Sequence, residues 1–334
     1  FDIIFSKAKK REKMRKIVII SAILMALMIQ MQSFAKEKAC EKQTVKENFA
    51  VELAGIGFHK KNDIDPTIQI KNIFSDYQKY TNNKNLEGFL SLHDATYRSS
   101  DGYDKERLKE LAQESWKEFP DVRYTIKVLS IDVDVDNATV ITKERLSGTT
   151  QTAVEFVKGS GYIDSESTAI YYLKRFSNEW RITSDFVVNE KTAMRYGIAK
   201  YIPMKLDAPS IVSPKEEYTA VLKLNVPRSY VALISINNEP ITFPFEKSTE
   251  VFRSLKPCGI QERILTSNDG SKNENAVASV GIAKPNIKDD NINVNILGIA
   301  FLSSRVNVVK HKMDNVAPLT QKNVNAAIKD SESK

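Results

Sequence analysis

The chain has 334 residues, enough for two domains of ordinary size, and its 42% hydrophobic and 27% charged residues are typical of a soluble globular protein. The formal charge is +7, but residues 1–35 hold seven Lys or Arg against two acidic residues, so the remainder carries only +2. A remainder this close to neutral excludes the extended basic surface that nucleic-acid binding requires.

The N-terminal segment has the three parts of an export signal. A basic stretch ending at Lys16 precedes an apolar run over residues 17–31, and Ser33-Phe34-Ala35 supplies small residues where a signal peptidase cuts. This run is shorter than the roughly 20 residues of a membrane span. We therefore expect an exported protein, periplasmic or secreted, that is cleaved after Ala35 and contacts the membrane only through this leader. An uncleaved anchor stays open, and Met14 is a candidate start.

Three helices are predicted after a flexible tether over residues 36–64. The first begins at Asp65-Pro66, where Asp caps the helix and Pro fits its first turn. Its buried stripe has helical spacing and consists of Ile70, Ile73, Phe74 and Tyr77. A shorter helix starts near Leu86, and a third is capped by Asp104.

From Arg123 the apolar residues recur at every second position, which indicates strands instead of helices. Two strands are predicted over residues 123–134 and 138–146, and the polar segment 147–160 is either a loop or a lengthened strand with a bulge. Helices followed by about four antiparallel strands predict an α+β fold, in which the helices cover one face of a curved sheet.

A hairpin over residues 162–186 is the most strongly patterned stretch of the chain. Two runs rich in Ile, Tyr, Phe and Trp flank the polar break at residues 177–179. Alternation in the first arm places Tyr171 and Tyr172 on opposite faces. In the second arm, alternation predicts one face with Trp180, Ile182 and Phe186, and the other with Arg181, Thr183 and Asp185.

Residues 66–190 resemble the nuclear transport factor 2-like superfamily, which includes SnoaL-like proteins and ketosteroid isomerases. The motifs that carry the resemblance are Leu86-Glu87-Gly88, His93-Asp94-Ala95-Thr96-Tyr97 and the hairpin Ala169–Phe176/Trp180–Asp185. The resemblance covers about the middle third of the chain and implies a cone-shaped curved antiparallel sheet with three N-terminal helices. Such a cone often holds a ligand pocket, and we assign residues 65–200 to this domain.

The second half is predicted to be all-β. Prolines at positions 203, 209 and 214 mark a linker, and six or so short β-rich runs separated by turn clusters follow it. This spacing predicts a β-sandwich over residues 201–312, similar to immunoglobulin-like domains in architecture only, because their Cys–Trp–Cys pattern is absent. Residues 313–334 form a polar tail.

No metal or cofactor is expected. Asp132, Asp134 and Asp136 match the start of an EF-hand loop, but Asn137 and Lys143 stand where that loop requires Gly and Glu. The aspartates are therefore read as the solvated face of a strand. The two cysteines, Cys40 and Cys258, leave the question of a disulfide open.

Two sets of residues are candidates for the site. The resemblance places Tyr77 near the oxyanion-donating Tyr of ketosteroid isomerases, but it puts Ser99 where their base Asp stands, which disfavours isomerase chemistry. An enzyme would instead use Tyr77 with His93 or Asp94. A ligand pocket would be lined by the aromatic residues Tyr77, Tyr97, Trp116, Tyr124 and Tyr172.

By fold-level analogy, the leading hypothesis is a non-catalytic module that binds a small apolar molecule in the cone or a partner protein at the cell envelope. One rival is an isomerase- or dehydratase-like enzyme, which requires His93 or Asp94 to point into the cone within hydrogen-bond reach of Tyr77. The other rival is a structural protein whose cone is filled by its own aromatic rings and which forms a homodimer through the open sheet face.

Overall fold

The structure is a computed structural model that describes residues 65–154, 157–242, 253–254, 259–288 and 291–310. The predicted leader, tether and polar tail lie outside these ranges, as do Cys40 and Cys258. The described α-helices are α1 (Pro66–Asn82), α2 (Leu86–Ser91) and α3 (Lys105–Glu118), and a short 3-10 helix spans Ile198–Tyr201. No helix in the described ranges is both long enough and apolar enough to cross a membrane.

Strands make up most of the described chain. In chain order they are β1 (His93–Ser99), β2 (Arg123–Asp134), β3 (Asn137–Val154), β4 (Val157–Phe176), β5 (Glu179–Gly197), β6 (Met204–Asp207), β7 (Ile211–Val212), β8 (Glu217–Leu224), β9 (Val231–Ile236), β10 (Ile241–Thr242), β11 (Arg253–Ser254), β12 (Ile260–Thr266), β13 (Glu274–Lys288) and β14 (Asn291–Val308).

The helices begin at their predicted caps. The Asp65 carboxylate accepts a hydrogen bond from the Thr67 amide at 2.8 Å, and the Asp104 carboxylate accepts one from the Arg107 amide at 3.0 Å. Such caps satisfy amides that the first helical turn leaves without partners. Helix α1 then buries Ile70 and Phe74 against the inner face of the sheet.

Strands β2, β3, β4 and β5 form an antiparallel meander, and the polar segment 147–160 extends β3 and β4. The first half therefore has the helix-covered α+β plan that was predicted. Strand β1 was not predicted: it pairs parallel with β5, with Ser99 opposite Asp185. Residues 94–96 in it remain accessible to solvent, so it lacks a simple alternating pattern.

One sheet joins the two halves of the described chain. Strand β14 pairs antiparallel with β5, from Gly298 opposite Gly197 to Ser304 opposite Lys191. In the described ranges the sheet order is β11-β9-β13-β14-β5-β4-β3-β2, and β1, β7 and β10 pair with β5, β14 and β13, respectively. The limits of the two domains near residue 200 stay a prediction, but the regions on either side share backbone hydrogen bonds.

A second sheet covers part of the first. It has the order β12-β8-β6, and Leu206, Leu222 and Leu265 from it are buried together with Ile234 and Ile282 of the large sheet. The second half is thus a two-layered β structure with a shared apolar core. Its immunoglobulin-like character stays a prediction.

Candidate functional site

A cavity of about 480 Å³ lies between helices α1 and α3 and one face of the large sheet, including strands β13 and β14. Small-molecule sites commonly have volumes of about 300–1,000 Å³. The second half of the chain contributes Asn275, Val277, Phe301 and Ser303 to the wall. The sequence did not predict this contribution, because it depends on the pairing of β14 with β5.

Tyrosines form one end of the cavity. Among the described residues, the tyrosines that line it are Tyr77, Tyr97, Tyr103, Tyr124 and Tyr171. The ring centroid of Tyr77 lies 5.7 Å from that of Tyr124 and 6.1 Å from that of Tyr171. These separations are typical of favourable aromatic pairs, so this end of the wall is both apolar and rich in hydroxyls.

Glu144 of β3 is buried at this end. Its carboxylate accepts hydrogen bonds from the hydroxyls of Tyr124 at 2.6 Å, Thr142 at 2.7 Å and Tyr171 at 2.9 Å. Burial raises the pKa of Glu144, and the three donors only partly oppose that effect. Glu144 was not predicted to belong to the site, although its position in the alternation of β3 places it on the inner face.

Asp185 of β5 provides a second buried carboxyl. The Tyr97 hydroxyl donates to it at 2.5 Å, and Asp185 is only 6% exposed. Burial raises the pKa of Asp185, and the charge of Asp185 contributes to the raised pKa of Glu144. In the register, Asp185 lies opposite Ser99. The cavity therefore has an acid beside the position where the family resemblance placed only a serine.

A β-bulge explains why Asp185 faces inward. Tyr172 lies opposite Ser184 and Leu173 lies opposite Ile182, so Thr183 is an extra residue in β5. One extra residue reverses the faces of all residues beyond it. The predicted face for Asp185 is therefore wrong, and so is the predicted grouping of Phe186 with Ile182. Phe186 instead packs with a small cluster centred on Ile170.

The predicted pocket residues divide into two groups. Tyr77, Tyr97 and Tyr124 line the cavity, whereas Trp116 and Tyr172 are not among its lining residues. The Trp116 ring packs against Phe89, with centroids 6.1 Å apart. Tyr172 is 37% exposed, because its neighbour Tyr171 occupies the inner face and successive strand residues point to opposite faces.

The proposed catalytic partners of Tyr77 do not line the cavity, although the His93 ring centroid lies 5.8 Å from that of Tyr77. His93 is buried, and its Nδ1 lies 3.0 Å from the Phe89 carbonyl oxygen, to which it donates in the corresponding tautomer. The Asp94 carboxylate accepts from the amide and the hydroxyl of Thr96, at 2.8 and 2.6 Å. The hydrogen bonds of both residues are local, and neither lines the cavity.

We expect His93 to make the fold sensitive to acid. Burial lowers its pKa to about 4, whereas the unfolded chain takes up this proton near the ordinary value of about 6.5. The unfolded state therefore binds more protons between these values, and stability falls as the pH drops from about 6.5 to 4. The expected loss is about 3 kcal/mol.

Denaturant unfolding at pH 7 and pH 4 measures this effect. His93→Phe keeps a ring in contact with Phe89 and removes the titrating group. Between pH 7 and pH 4, the free energy of unfolding of this variant should therefore fall by about 3 kcal/mol less than that of the unaltered protein. Buried carboxyls such as Glu144 are present in both proteins, so their contributions to the change in stability cancel in the comparison. Equal losses in the two proteins would contradict the role assigned to His93.

Comparison with known proteins finds a resemblance over part of the chain only. No family model matches the sequence, and no curated protein matches it. Bd1075 of Bdellovibrio bacteriovorus has a similar structure at 9% identity and a TM-score of 0.30, over 36% of this chain and 39% of that one. The match thus spans well under two thirds of that protein's length.

Two further neighbours match over 36% of this chain. A provisionally assigned scytalone dehydratase from Novosphingobium aromaticivorans matches over 81% of its own length, at 12% identity and a TM-score of 0.32. A provisionally assigned dehydratase of the NTF2-like family from Streptomyces avermitilis matches over 94%, at 13% identity and a TM-score of 0.31. The neighbours thus include nuclear transport factor 2-like dehydratase folds. At TM-scores near 0.3, these matches decide nothing about activity.

Proposed function

We propose that this protein is an exported, non-catalytic module that binds a small, mainly apolar molecule in the cavity. The observation that carries the proposal is the cavity itself, which keeps about 480 Å³ of space beside its aromatic rings. A cone filled by its own side chains would leave no such space. Export rests on the leader that ends at Ala35, and a protein partner at the envelope stays part of the proposal.

The arrangement of polar groups supports binding more than catalysis by Tyr77 with His93 or Asp94. Tyr77 lines the cavity, but neither His93 nor Asp94 does. The hydroxyls that reach Glu144 are already engaged with it. Such a wall can orient a ligand through a few polar contacts while apolar side chains supply most of the contact area.

Native mass spectrometry of the full chain, purified from its natural source, tests the proposal. We expect excess mass under native conditions that disappears on denaturation, because an apolar molecule is released when the cavity unfolds. The same spectrum reports whether the chain is a homodimer. Two results together would overturn the proposal. The native mass would equal that of the denatured chain, and no member of a panel of small apolar probes would bind.

A cavity-filling variant links the retained mass to this site. Ser167→Trp places a large ring in the cavity from β4 and should abolish the excess mass. Lys143→Trp adds the same ring at an exposed position on β3 and should leave the excess mass unchanged. Retention by Ser167→Trp would place the ligand elsewhere.

One observation favours a second candidate, an isomerase- or dehydratase-like enzyme. Asp185 is a buried carboxyl with a raised pKa beside the Tyr97 hydroxyl, and such a group can accept a proton from carbon next to a carbonyl. Proton NMR in D₂O would detect this activity as deuterium exchange into 2-tetralone. Exchange that is lost in Asp185→Asn would establish the enzyme, and no exchange above the buffer rate would exclude this proton transfer for that ketone.

A further inference from the structure

The described part of the cavity wall carries carboxyl groups and no basic side chain. Three carboxyls belong to the wall, Glu144, Asp185 and Glu190, and no Lys, Arg or His is among the described residues that line it. Glu190 accepts from the hydroxyls of Thr192 at 3.1 Å and Ser165 at 3.2 Å. The direct side-chain partners of all three carboxyls are thus neutral hydroxyls.

Arg305, a buried cation whose charge influences the carboxyls of the cavity, is paired with another residue. Arg305 of β14 makes two hydrogen bonds to the Asp101 carboxylate, at 2.6 and 2.9 Å. Its charge reaches Asp185 and Glu190 only at longer range. A buried carboxylate is costly without a cationic partner. A cation in the cavity would therefore be attracted by charge that the protein itself leaves partly uncompensated.

The aromatic end of the wall suits the same kind of ligand. Tyr77, Tyr97 and Tyr171 present rings close to Asp185 and Glu144, and the face of an aromatic ring attracts an ammonium group. Rings combined with carboxylates recognise organic cations because each contributes negative potential while the rings also contact the alkyl groups. A compact anion would meet repulsion at this end.

The other end of the cavity is apolar. Phe119, Ile163, Met194 and Phe301 line it and belong to a separate buried cluster. Glu190 lies between the two ends, because its partners Ser165 and Thr192 are each two residues from Ile163 and Met194 along their strands. The cavity therefore has a tyrosine end with Asp185 and Glu144 and a mainly apolar end beyond Glu190. This polarity matches a molecule with one cationic group and an apolar body.

We propose that the ligand is a small organic cation, an ammonium group on an apolar body, with the ammonium at the tyrosine end beside Asp185 and Glu144. This inference rests on the proposed binding function and specifies its ligand. Neutralisation of the carboxyls by protonation would instead favour a neutral hydrogen-bonding molecule, and the experiment below separates the two.

Isothermal titration calorimetry of the full chain tests the proposal by comparing its affinities for matched probes. The probes are 2-phenylethylamine and 2-phenylethanol, and the longer pair 4-phenylbutylamine and 4-phenylbutanol, all at pH 8, where both amines carry a proton. The members of each pair have nearly the same shape and differ in charge. We expect each amine to bind at least about tenfold more tightly than its alcohol, because hydrogen bonds to charged groups are the stronger ones.

Variants assign the preference to the carboxyls. Asp185→Asn keeps an oxygen that can accept from Tyr97 but removes the charge, and it should weaken amine binding about tenfold while leaving alcohol binding unchanged. Glu144→Gln provides a second variant with the same expectation, in case one of them fails to fold. Asp164→Asn, at a partly exposed acid outside this cavity, should change neither affinity.

The outcomes distinguish this inference from the proposed function. Equal affinities of amine and alcohol, both lost in Ser167→Trp, would overturn the cationic ligand and leave the cavity as a binding site. An amine preference that survives both Asp185→Asn and Glu144→Gln would also overturn it. Binding of no probe, together with no retained mass in the native spectrum, would overturn both proposals.

Discussion

Replacing Arg305 with Met is expected to lower the free energy of unfolding by about 3–5 kcal/mol, because the change leaves the Asp101 carboxylate without its cationic partner. The Arg305 side chain is 8% exposed and that of Asp101 is 20% exposed. Burial alone would raise the pKa of Asp101, but the hydrogen bonds and charge of Arg305 outweigh burial and hold it below its ordinary value. Asp101 therefore stays ionised and needs compensation.

This ion pair joins the two halves of the chain. Asp101 follows strand β1, whereas Arg305 lies on β14, and the guanidinium contacts both carboxylate oxygens. Asn273 donates to the same carboxylate at 2.9 Å, and Asn307 accepts from Arg305 Nε at 2.9 Å. Each partner is thus held in place by an amide, so the pair cannot simply rearrange toward water when one member is lost.

Urea unfolding followed by circular dichroism measures the expected loss. Arg145→Met is the matched control, since Arg145 pairs with Asp164 at 2.9 Å but is 56% exposed, and its loss should cost less than about 1 kcal/mol. The double variant Asp101→Asn/Arg305→Met should recover part of the loss, because it no longer leaves a buried carboxylate uncompensated. Similar losses for Arg305→Met and Arg145→Met would contradict the structural role of this pair.

Gly197→Ala is expected to destabilise the fold by about 3 kcal/mol or more. Gly197 ends β5 with φ of 56° and ψ of −137°, a backbone conformation that residues with a Cβ rarely adopt. A Cβ built at this position would lie 2.2 Å from the Leu297 carbonyl oxygen and 2.5 Å from Val157 Cγ1. The substitution therefore combines backbone strain with a collision against main chain, which cannot move aside as a flexible side chain could.

The control for Gly197→Ala separates strain from collision. Gly159 also has a positive φ, 92°, but a Cβ there would meet no atom of the described residues within 4 Å. Gly159→Ala should therefore cost only the backbone strain, about 1–2 kcal/mol. Thermal and denaturant unfolding of both variants would show the difference, and equal losses would mean that the close approach of β14 to β5 at Gly197 is not maintained.

Local rules were sufficient for the helices of the first half and for strands β2 to β5, but not for β1. Asp65 and Asp104 cap helices because their side chains bond to amides two or three residues ahead, which is a purely local interaction. Alternation likewise predicted β2 to β5, because a half-buried strand shows the same period wherever it lies in a sheet. The order of helices and strands then indicated an α+β plan without any knowledge of contacts.

The site itself was only partly predictable. Tyr77, Tyr97 and Tyr124 were named from the sequence and line the cavity, but the two carboxyls beside them were not named as site residues. Asp185 was not predicted because the bulge at Thr183 reverses the alternation from which its face was inferred. Glu144 was not predicted because a charged residue in a strand is usually solvated. The hydrogen bonds from the surrounding hydroxyls lower the energetic cost of its burial, and these contacts are visible only in the tertiary structure.

The sequence alone thus determined where the helices begin, most of the long strands and three of the aromatic residues of the cavity, because these properties depend on neighbours a few residues apart. The tertiary structure decided the rest. Strand β14 completes the cavity only because it pairs with β5 more than a hundred residues earlier, and Arg305 reaches Asp101 through that same pairing. Long-range pairing and bulges depend on which strand segments pair with one another. The local pattern of a strand does not identify its distant partner.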